Sequence, residues 1–263
     1  MDAHPPSHGL QRLDAGGAGP LYRQARRELQ RVVEAGRYQP GDTLPSEAEI
    51  AGALGVSIGT LRKAVDELVH EHVLVRRQGM GTFVALHNND RFLFQFFHVE
   101  PREEFPAADA LREREYPQVD CVAFQRTRAE QTEAAALRMR PGDPVLRIDN
   151  RLSLAGRAVV HDRITISAHT FKGLTEKRFM ERPSTIYSLY QTDHGITVLR
   201  ARERVRAVAA SRETARILGV SVGAPVLEVH RLAITFGDKP VEYRVSTIDT
   251  AAHDYVSLLS KRA

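Results

Sequence analysis

The sequence has little of what a secreted or membrane-spanning protein usually carries. Its one cysteine, Cys121, excludes an internal disulfide framework and favours a reducing compartment. No apolar run approaches the ~18–20 residues of a membrane-spanning helix, and no signal peptide is visible. We therefore expect a cytoplasmic protein without a membrane partner.

Sequence signatures of metal binding, cofactor binding and catalysis are also missing. A single cysteine allows no C-x2-C pair, and the 11 histidines indicate no metal site. Gly79-Met80-Gly81 lacks the third glycine and the strand-to-helix context of a dinucleotide loop, and no serine lies in G-x-S-x-G. We predict no catalytic residue and no cofactor, and we do not expect an enzyme.

Net charge says little about partners, whereas the placement of charge is informative. The chain has 37 Lys and Arg against 33 Asp and Glu, a formal charge of +4. Residues 20–86 contain nine Lys and Arg against eight Asp and Glu. These cations cluster at predicted helix starts and in a glycine-rich hairpin, which favours an acidic partner such as nucleic acid.

Residues 45–84 carry the most informative pattern of the chain. Ser46 and Glu49 form an S-x-x-E capping box, which predicts a helix start, and Gly55 predicts the end of that helix. Ser57 can cap a second helix with an apolar stripe at i, i+3, i+4 and i+7. The stripe comprises Leu61, Ala64, Val65 and Leu68.

The second helix starts with polar and cationic side chains, and a basic hairpin follows it. Thr60, Arg62 and Lys63 lie near the helix start, and β-prone residues 73–75 and 82–84 flank the turn R-R-Q-G-M-G. Such a helix start suits a major groove, and a glycine-rich basic tip can approach a phosphate backbone closely. The pattern indicates a winged helix-turn-helix that binds duplex DNA. The alternative is an ordinary helical hairpin with a solvated charged face.

Residues 20–84 resemble the N-terminal domain of GntR-family bacterial transcription regulators. The resemblance rests on P-G-D-T-L-P-S-E (40–47), on V-S-I-G-T-L-R (56–62) and on Gly81-Thr82-Phe83. It implies a first helix over residues 21–36 and a wing formed by R-Q-G-M-G-T-F.

The motifs and the resemblance together define candidate DNA-binding residues. Relatives commonly carry arginine where this chain has Ala48 and Ile58, so the usual operator sequence cannot be assumed. The candidates are Ser46, Ser57, Thr60, Arg62, Lys63, Arg76, Arg77, Gln78, Gly79, Gly81 and Thr82.

The C-terminal part of the chain contains an internal repeat. Residues 132–166 and 213–248 share P-V-L, and at an offset of 81 Gly142 matches Gly223 and Arg163 matches Arg244. Each copy is predicted to form a short helix, a turn and two strands joined by a glycine-containing hairpin. Two copies predict a pseudo-symmetric antiparallel sheet covered by helices, an α+β fold.

The predicted organisation has four segments: a disordered leader (1–19), the winged helix-turn-helix (20–86), a linker (87–92) and a second domain (93–258). An aromatic stretch, 91–99, is predicted to form the strand that enters the second domain. Its phenylalanines are expected in the core rather than in a stacking platform. They are Phe92, Phe94, Phe96 and Phe97.

Residues 93–258 resemble the UTRA domain, the effector-binding module of HutC-type GntR regulators. The matching segments are P-G-D-P-V-L-R-I, S-T-I-Y, G-I-T-V with the following E-R-V-R-A, and G-A-P-V-L with P-V-E-Y. This domain shares the fold of chorismate lyase but acts as a sensor, so a chorismate-lyase-like antiparallel α/β fold is expected.

The UTRA resemblance also implies an effector site. It places an anion-facing arginine at Arg151, while relatives often have a second arginine at Ser153 and an aromatic residue at Ile248. These departures weaken a sugar phosphate as the effector, and amino-acid derivatives or other anions remain candidates. The implied effector residues are Arg151, Asp162, Thr185, Tyr187, Glu203 and Glu242.

Three functions are compatible with these patterns. The leading hypothesis is a homodimeric, ligand-responsive regulator, a repressor by preference, that binds a palindromic DNA operator. A second is a constitutive DNA-binding protein whose C-terminal domain only dimerises. A third is an enzyme on the chorismate-lyase-like domain, for which the sequence shows no paired acid and base.

Overall fold

The protein forms two compact units in a computed structural model, one up to His87 and one from Asn88 onwards. The structure describes residues 9–13, 19–71, 73–77, 79–86, 97–102 and 116–257. Within these ranges, no helix is long and apolar enough to cross a membrane.

Three helices and a hairpin make up the N-terminal unit. Its elements are α1 (Leu21–Glu34), α2 (Glu47–Leu54), α3 (Ile58–His70), β1 (Leu74–Arg77) and β2 (Gly81–Val84), with β1 and β2 antiparallel. The predicted stripe of α3 is buried, and it packs with α1 and α2 around fully buried Leu29, Leu54 and Leu68. The helix-turn-helix and hairpin predicted from the sequence are therefore confirmed.

The caps that bound the helices follow the sequence signals. Ser46 accepts a hydrogen bond from the Glu49 amide at 3.3 Å, and the Glu49 carboxylate accepts one from the Ser46 amide at 2.8 Å. Gly55 ends α2 in the left-handed region with φ of 72°. Ser57 caps α3 by accepting a bond from the Thr60 amide at 3.1 Å. These interactions fix the turn between α2 and α3.

Two glycines of the α2 region provide a matched test of backbone geometry. No described atom lies within 4 Å of a Cβ added at Gly52, so Gly52→Ala should stabilise the unit by about 0.5–1 kcal/mol. Gly55 has positive φ, so Gly55→Ala should destabilise it by about 1–2 kcal/mol. Urea unfolding followed by circular dichroism measures both changes. Shifts of the same sign would contradict this assignment.

Residues 9–13, predicted to belong to a disordered leader, lie against the helices of the N-terminal unit. The Gln11 amide donates to Glu28 at 2.7 Å, and the Leu13 amide donates to the Leu54 carbonyl at 2.9 Å. Leu10 is buried. Composition indicates disorder here, but these few residues bury an apolar side chain and pair backbone groups. The predicted linker, 87–92, lies outside the described residues.

A six-stranded antiparallel sheet dominates the C-terminal unit. Its order is β4-β5-β6-β9-β8-β7, and β3 pairs separately with β10. The strands are β3 (Val99–Pro101), β4 (Gln118–Arg128), β5 (Pro144–Leu154), β6 (Arg157–Ser167), β7 (Arg200–Ala209), β8 (Pro225–Ile234), β9 (Pro240–Ile248) and β10 (His253–Tyr255). The helices are α4 (Gln131–Leu137), α5 (Glu176–Met180), α6 (Ile186–His194) and α7 (Arg212–Leu218).

The internal repeat explains this sheet. Each copy forms a helix followed by two long paired strands, α4-β5-β6 and α7-β8-β9, and an outer strand precedes each helix. The two halves meet where β6 pairs with β9. The predicted α+β fold with a pseudo-symmetric antiparallel sheet is confirmed.

The sheet register corrects the equivalence of Arg163 and Arg244 that the internal repeat predicted. Arg163 lies opposite Val245, and Ile164 lies opposite Arg244. Because side chains alternate between the faces of a strand, Arg163 and Arg244 point to opposite faces. The β8–β9 connection is longer than the β5–β6 turn, which shifts the offset locally and makes Asp162 the counterpart of Arg244.

One aromatic residue of the predicted entering strand is described, and it is in the core. Phe97 is buried and packs with the central cluster of the C-terminal unit, as expected. Phe92, Phe94 and Phe96 lie outside the described residues. The strand at this point is β3, which begins at Val99.

Candidate functional site

The start of α3 presents a short row of polar groups. The Ser57 and Thr60 hydroxyls are 2.8 Å apart, and both side chains belong to the helix cap. Arg62 follows with its side chain 65% exposed, so its guanidinium is accessible to a partner. The Lys63 ammonium lies 4.0 Å from the centre of the Tyr22 ring, a cation–π contact that orients it.

Glu47 connects α3 to the wing. Its carboxylate accepts from Arg62 Nε at 2.7 Å and from Arg76 Nη2 at 3.0 Å. Arg76 also pairs with Asp66. These bonds fix the direction of two arginines that the sequence analysis named as DNA-binding candidates, whereas Glu47 was not named. The P-S-E motif was the available signal, but only the fold places Glu47 beside both arginines.

The wing and the residues before α2 enclose a groove. Gly79 and Gly81 have φ of 73° and 111°, which lets the tip fold back tightly. The Arg77 guanidinium lies 4.8 Å from the centre of the Phe83 ring and remains exposed. Six of the candidate DNA-binding residues line the groove: Ser46, Arg76, Arg77, Gly79, Gly81 and Thr82. Gln78 lies outside the described residues.

A buried charge network lies at the centre of the C-terminal sheet. Arg244 donates to Asp162 at 2.9 Å and to both oxygens of Glu242, at 3.0 and 3.2 Å. Glu242 also accepts from the hydroxyls of Tyr187, at 3.0 Å, and Tyr190, at 2.8 Å. All five side chains are buried. Burial and the Glu242 charge raise the pKa of the Tyr187 hydroxyl, so it stays protonated and donates.

Two concavities flank the Asp162–Arg244 pair. The first is lined on one side by Val99, at the start of β3, and by Arg231 and Tyr255. The second is lined by Asn150 and Arg182 among other residues. Both include Leu152, Asp162 and Arg244. A charged pair shared by two small pockets with apolar walls can orient a polar ligand.

Arg231 is held by a half-buried acid, Glu203. Its Nε donates to Glu203 at 2.5 Å, and the Tyr255 hydroxyl donates to the same carboxylate. Burial opposes ionisation of Glu203, but Arg231 and Tyr255 outweigh it and hold its pKa below the usual range. Arg231 was not predicted as a site residue, although it belongs to the second copy of the repeat, where Arg231-Leu232 matches Arg151-Leu152.

The structure places the six candidate effector residues in different roles. Asp162 lines both concavities, while Tyr187 and Glu242 lie behind Arg244 and Glu203 lies behind Arg231. Thr185 is buried and caps α6 by accepting from the Ser188 amide at 3.0 Å.

Arg151 lies apart from this cluster. It is opposite His161, next in sequence to Asp162, so its side chain points to the other face of the sheet. There it pairs with Asp120 at 2.9 Å, with 46% of its side chain exposed. The arginines that line the concavities are Arg182, Arg231 and Arg244.

An ion pair between α5 and α6 predicts acid sensitivity. Hydrogen bonds from Arg178 lower the pKa of Asp193 from its ordinary value to about 2. A carboxyl group whose pKa is lower in the folded than in the unfolded protein stabilises the fold at pH values above its unfolded pKa. This stabilisation is lost as the pH falls through its folded pKa. Asp193→Asn should therefore lower the melting temperature at neutral pH, and the difference should vanish near pH 2. Thermal unfolding between about pH 7 and 2 tests this. A difference independent of pH would contradict it.

Comparisons with known proteins identify both units. Residues 21–84 match the family model described as bacterial regulatory proteins, gntR family. Residues 113–254, more than half of the chain, match the UTRA domain. Together with the winged helix and the duplicated sheet, these matches define the class as transcriptional regulators.

Similar proteins agree with this class. An HTH-type transcriptional regulator of Mycobacterium tuberculosis is 29% identical over 86% of this chain and 81% of its own length. The histidine utilization repressor of Klebsiella aerogenes is 31% identical over 47% of this chain and 48% of its own. A solved structure, titled as the ligand-binding domain of a GntR-family regulator from Bordetella bronchiseptica, is 32% identical with a TM-score of 0.57. The match covers 64% of this chain and 99% of the chain in that structure. The chain belongs to the GntR family of transcriptional regulators, in the group with a UTRA domain.

Proposed function

We propose that this protein is a ligand-responsive repressor that binds a palindromic DNA operator as a homodimer. Thr60 and Arg62 would read base edges in the major groove, while Arg77 and the wing glycines would contact the phosphate backbone. In a dimer, two recognition helices would meet half-sites about one helical turn apart. A protein with this role acts in the cytoplasm, where the genome lies.

The sensing role is supported above all by the Asp162–Arg244–Glu242 network. Buried charges stabilise a fold poorly compared with apolar side chains of similar volume. Here such a network borders two concavities, an arrangement suited to recognition of a polar or anionic metabolite. The named relatives include a repressor of histidine utilization, which is consistent with a metabolite signal. The ligand would release the operator by preferring the DNA-incompetent arrangement of the dimer.

A gel-shift assay with DNA from the chain's own promoter tests this function. We expect specific retention by the purified protein and its loss when metabolite extract is added. Retention that no metabolite alters would favour a constitutive DNA-binding protein. The absence of specific retention, with or without extract, would refute the proposal. Turnover of chorismate or similar acids by the protein would favour an enzyme instead.

The proposed dimer requires a separate measurement. Light scattering after size-exclusion chromatography should give twice the mass of the 29.4 kDa chain. A monomer at the concentrations at which operator binding is half-maximal would contradict the palindromic arrangement.

A further inference from the structure

Arg182 is a half-buried cation without a carboxylate partner among the described residues. It lies between α5 and α6 and lines the second concavity. Its Nη1 donates to the Phe179 carbonyl at 2.5 Å, and its guanidinium lies over the Phe179 ring at 4.4 Å. Its Nε is buried and has no hydrogen-bond partner within the described ranges. This Nε–H therefore lacks an acceptor that a ligand oxygen could supply.

Two buried arginines of this region already have carboxylate partners. Arg231 pairs with Glu203 at 2.5 Å, and Arg244 pairs with Glu242 at 3.0 Å and with Asp162 at 2.9 Å. Burial lowers the pKa of Arg182 from its usual value, and repulsion from Arg244 adds to this effect. An arginine nevertheless stays charged at neutral pH, so the pocket holds a positive charge that forms no ion pair with a carboxylate of the residues that the structure describes.

Asn150 adds a second group that lacks a partner at the same place. Its side chain is 3% exposed and lines the same concavity as Arg182. One polar atom of its amide, Oδ1, is buried and finds no hydrogen-bond partner in the part of the chain that the structure describes. Buried polar groups are nearly always paired, and a ligand hydroxyl could pair with either end of an amide because it both donates and accepts.

We propose that Arg182 and Asn150 form an anion subsite of the effector pocket, and that its ligand is a small monocarboxylate with a hydroxyl near the carboxyl group. Arg182 binds the carboxylate, and Asn150 pairs with the hydroxyl. Apolar Leu152, Ile164 and Ile186 surround the rest of the ligand. Arg182, the one lining cation without a carboxylate partner in the described part of the chain, matches one negative charge, whereas a phosphate dianion would leave a second charge desolvated. That the ligand acts as the effector rests on the proposed function, but its binding does not.

Fragment binding to the full chain tests the subsite. The probes are glycolate, acetate and inorganic phosphate, and the readout is the Nε–H nuclear magnetic resonance signal of Arg182, assigned by its loss in Arg182→Gln. We expect glycolate to shift this signal at lower concentration than acetate or phosphate. We expect Arg182→Gln to weaken glycolate binding about tenfold or more, as for loss of a charge-assisted hydrogen bond. In this variant, glycolate binding is measured from the shifts of backbone amide signals. Asn150→Leu should remove the preference for glycolate over acetate.

Two variants separate binding from a structural role. Lys177→Gln removes a cation from the neighbouring α5, where the side chain is 81% exposed, and should leave glycolate binding unchanged. Arg231→Gln removes the cation that pairs with Glu203 and should lower the melting temperature, whereas Arg182→Gln should preserve or raise it.

Several outcomes would overturn the subsite, and each differs from a failure of the proposed function. They are equal glycolate binding by the wild type and Arg182→Gln, tighter binding of phosphate than of glycolate, no binding of any probe, or equal melting losses for Arg182→Gln and Arg231→Gln. Each of these outcomes could occur while metabolite extract still releases the protein from its operator. Conversely, glycolate binding could depend on Arg182 while the operator responds to no metabolite, which would refute only the sensing role.

Discussion

Replacing Glu242 with alanine is expected to destabilise the UTRA domain by about 3–5 kcal/mol, because two buried hydroxyls lose their acceptor, at about 1–3 kcal/mol each, and Arg244 loses one of its two carboxylate partners. Glu242 is fully buried and accepts from Tyr187, Tyr190 and Arg244. Without it, two buried hydroxyls lose their acceptor, and Arg244 keeps its bond to Asp162. Urea unfolding of the full chain, followed by circular dichroism, measures the loss in the transition of this domain.

Glu213→Ala is the matched control for this prediction. Glu213 also pairs with an arginine, Arg163, at 2.8 Å, but its side chain is 49% exposed. Solvent screens exposed pairs, so its removal should cost no more than about 1 kcal/mol. Similar losses for the two variants would mean that burial does not set the strength of these pairs, and a small loss for Glu242→Ala would contradict the network.

Local features of the fold were predictable because they depend on neighbouring residues. The Ser46–Glu49 box and the left-handed Gly55 follow from short-range backbone chemistry, and both are observed. The repeat also predicted two helix-and-hairpin units. It did not predict the junction of β6 with β9, since a register between distant strands depends on the lengths of the connections. The longer β8–β9 connection moved the counterpart of Arg244 from Arg163 to Asp162.

The candidate effector site was harder to predict for the same reason. Glu242 and Tyr187 were named through the resemblance, and the structure joins them through Arg244, which was known only as part of the repeat. Glu242 and Arg244 are two apart on β9 and share a face, a signal that the sequence did contain. A one-residue shift reverses the face of a strand residue, so sequence position alone could not fix the direction of Arg151.

Arg62→Ala is expected to reduce operator affinity by about 1–3 kcal/mol while changing the binding of unrelated DNA much less. Arg62 is near the start of α3, 65% exposed, and Glu47 holds its Nε at 2.7 Å. A guanidinium fixed on one side and open on the other suits bidentate contact with a base edge. Fluorescence anisotropy with the operator and with a scrambled duplex of equal length measures both affinities.

Arg77→Ala is the contrasting variant, because Arg77 is in the wing and packs on Phe83 rather than near the recognition helix. If it contacts a phosphate, its removal should weaken operator and scrambled DNA by the same factor. The slope of log affinity against log salt should then fall by about 1, since one fewer counterion is released. A loss of operator preference in Arg77→Ala, or a uniform loss in Arg62→Ala with a reduced salt slope, would reverse the two assignments. The wing would then read sequence, and α3 would contribute mainly electrostatic affinity.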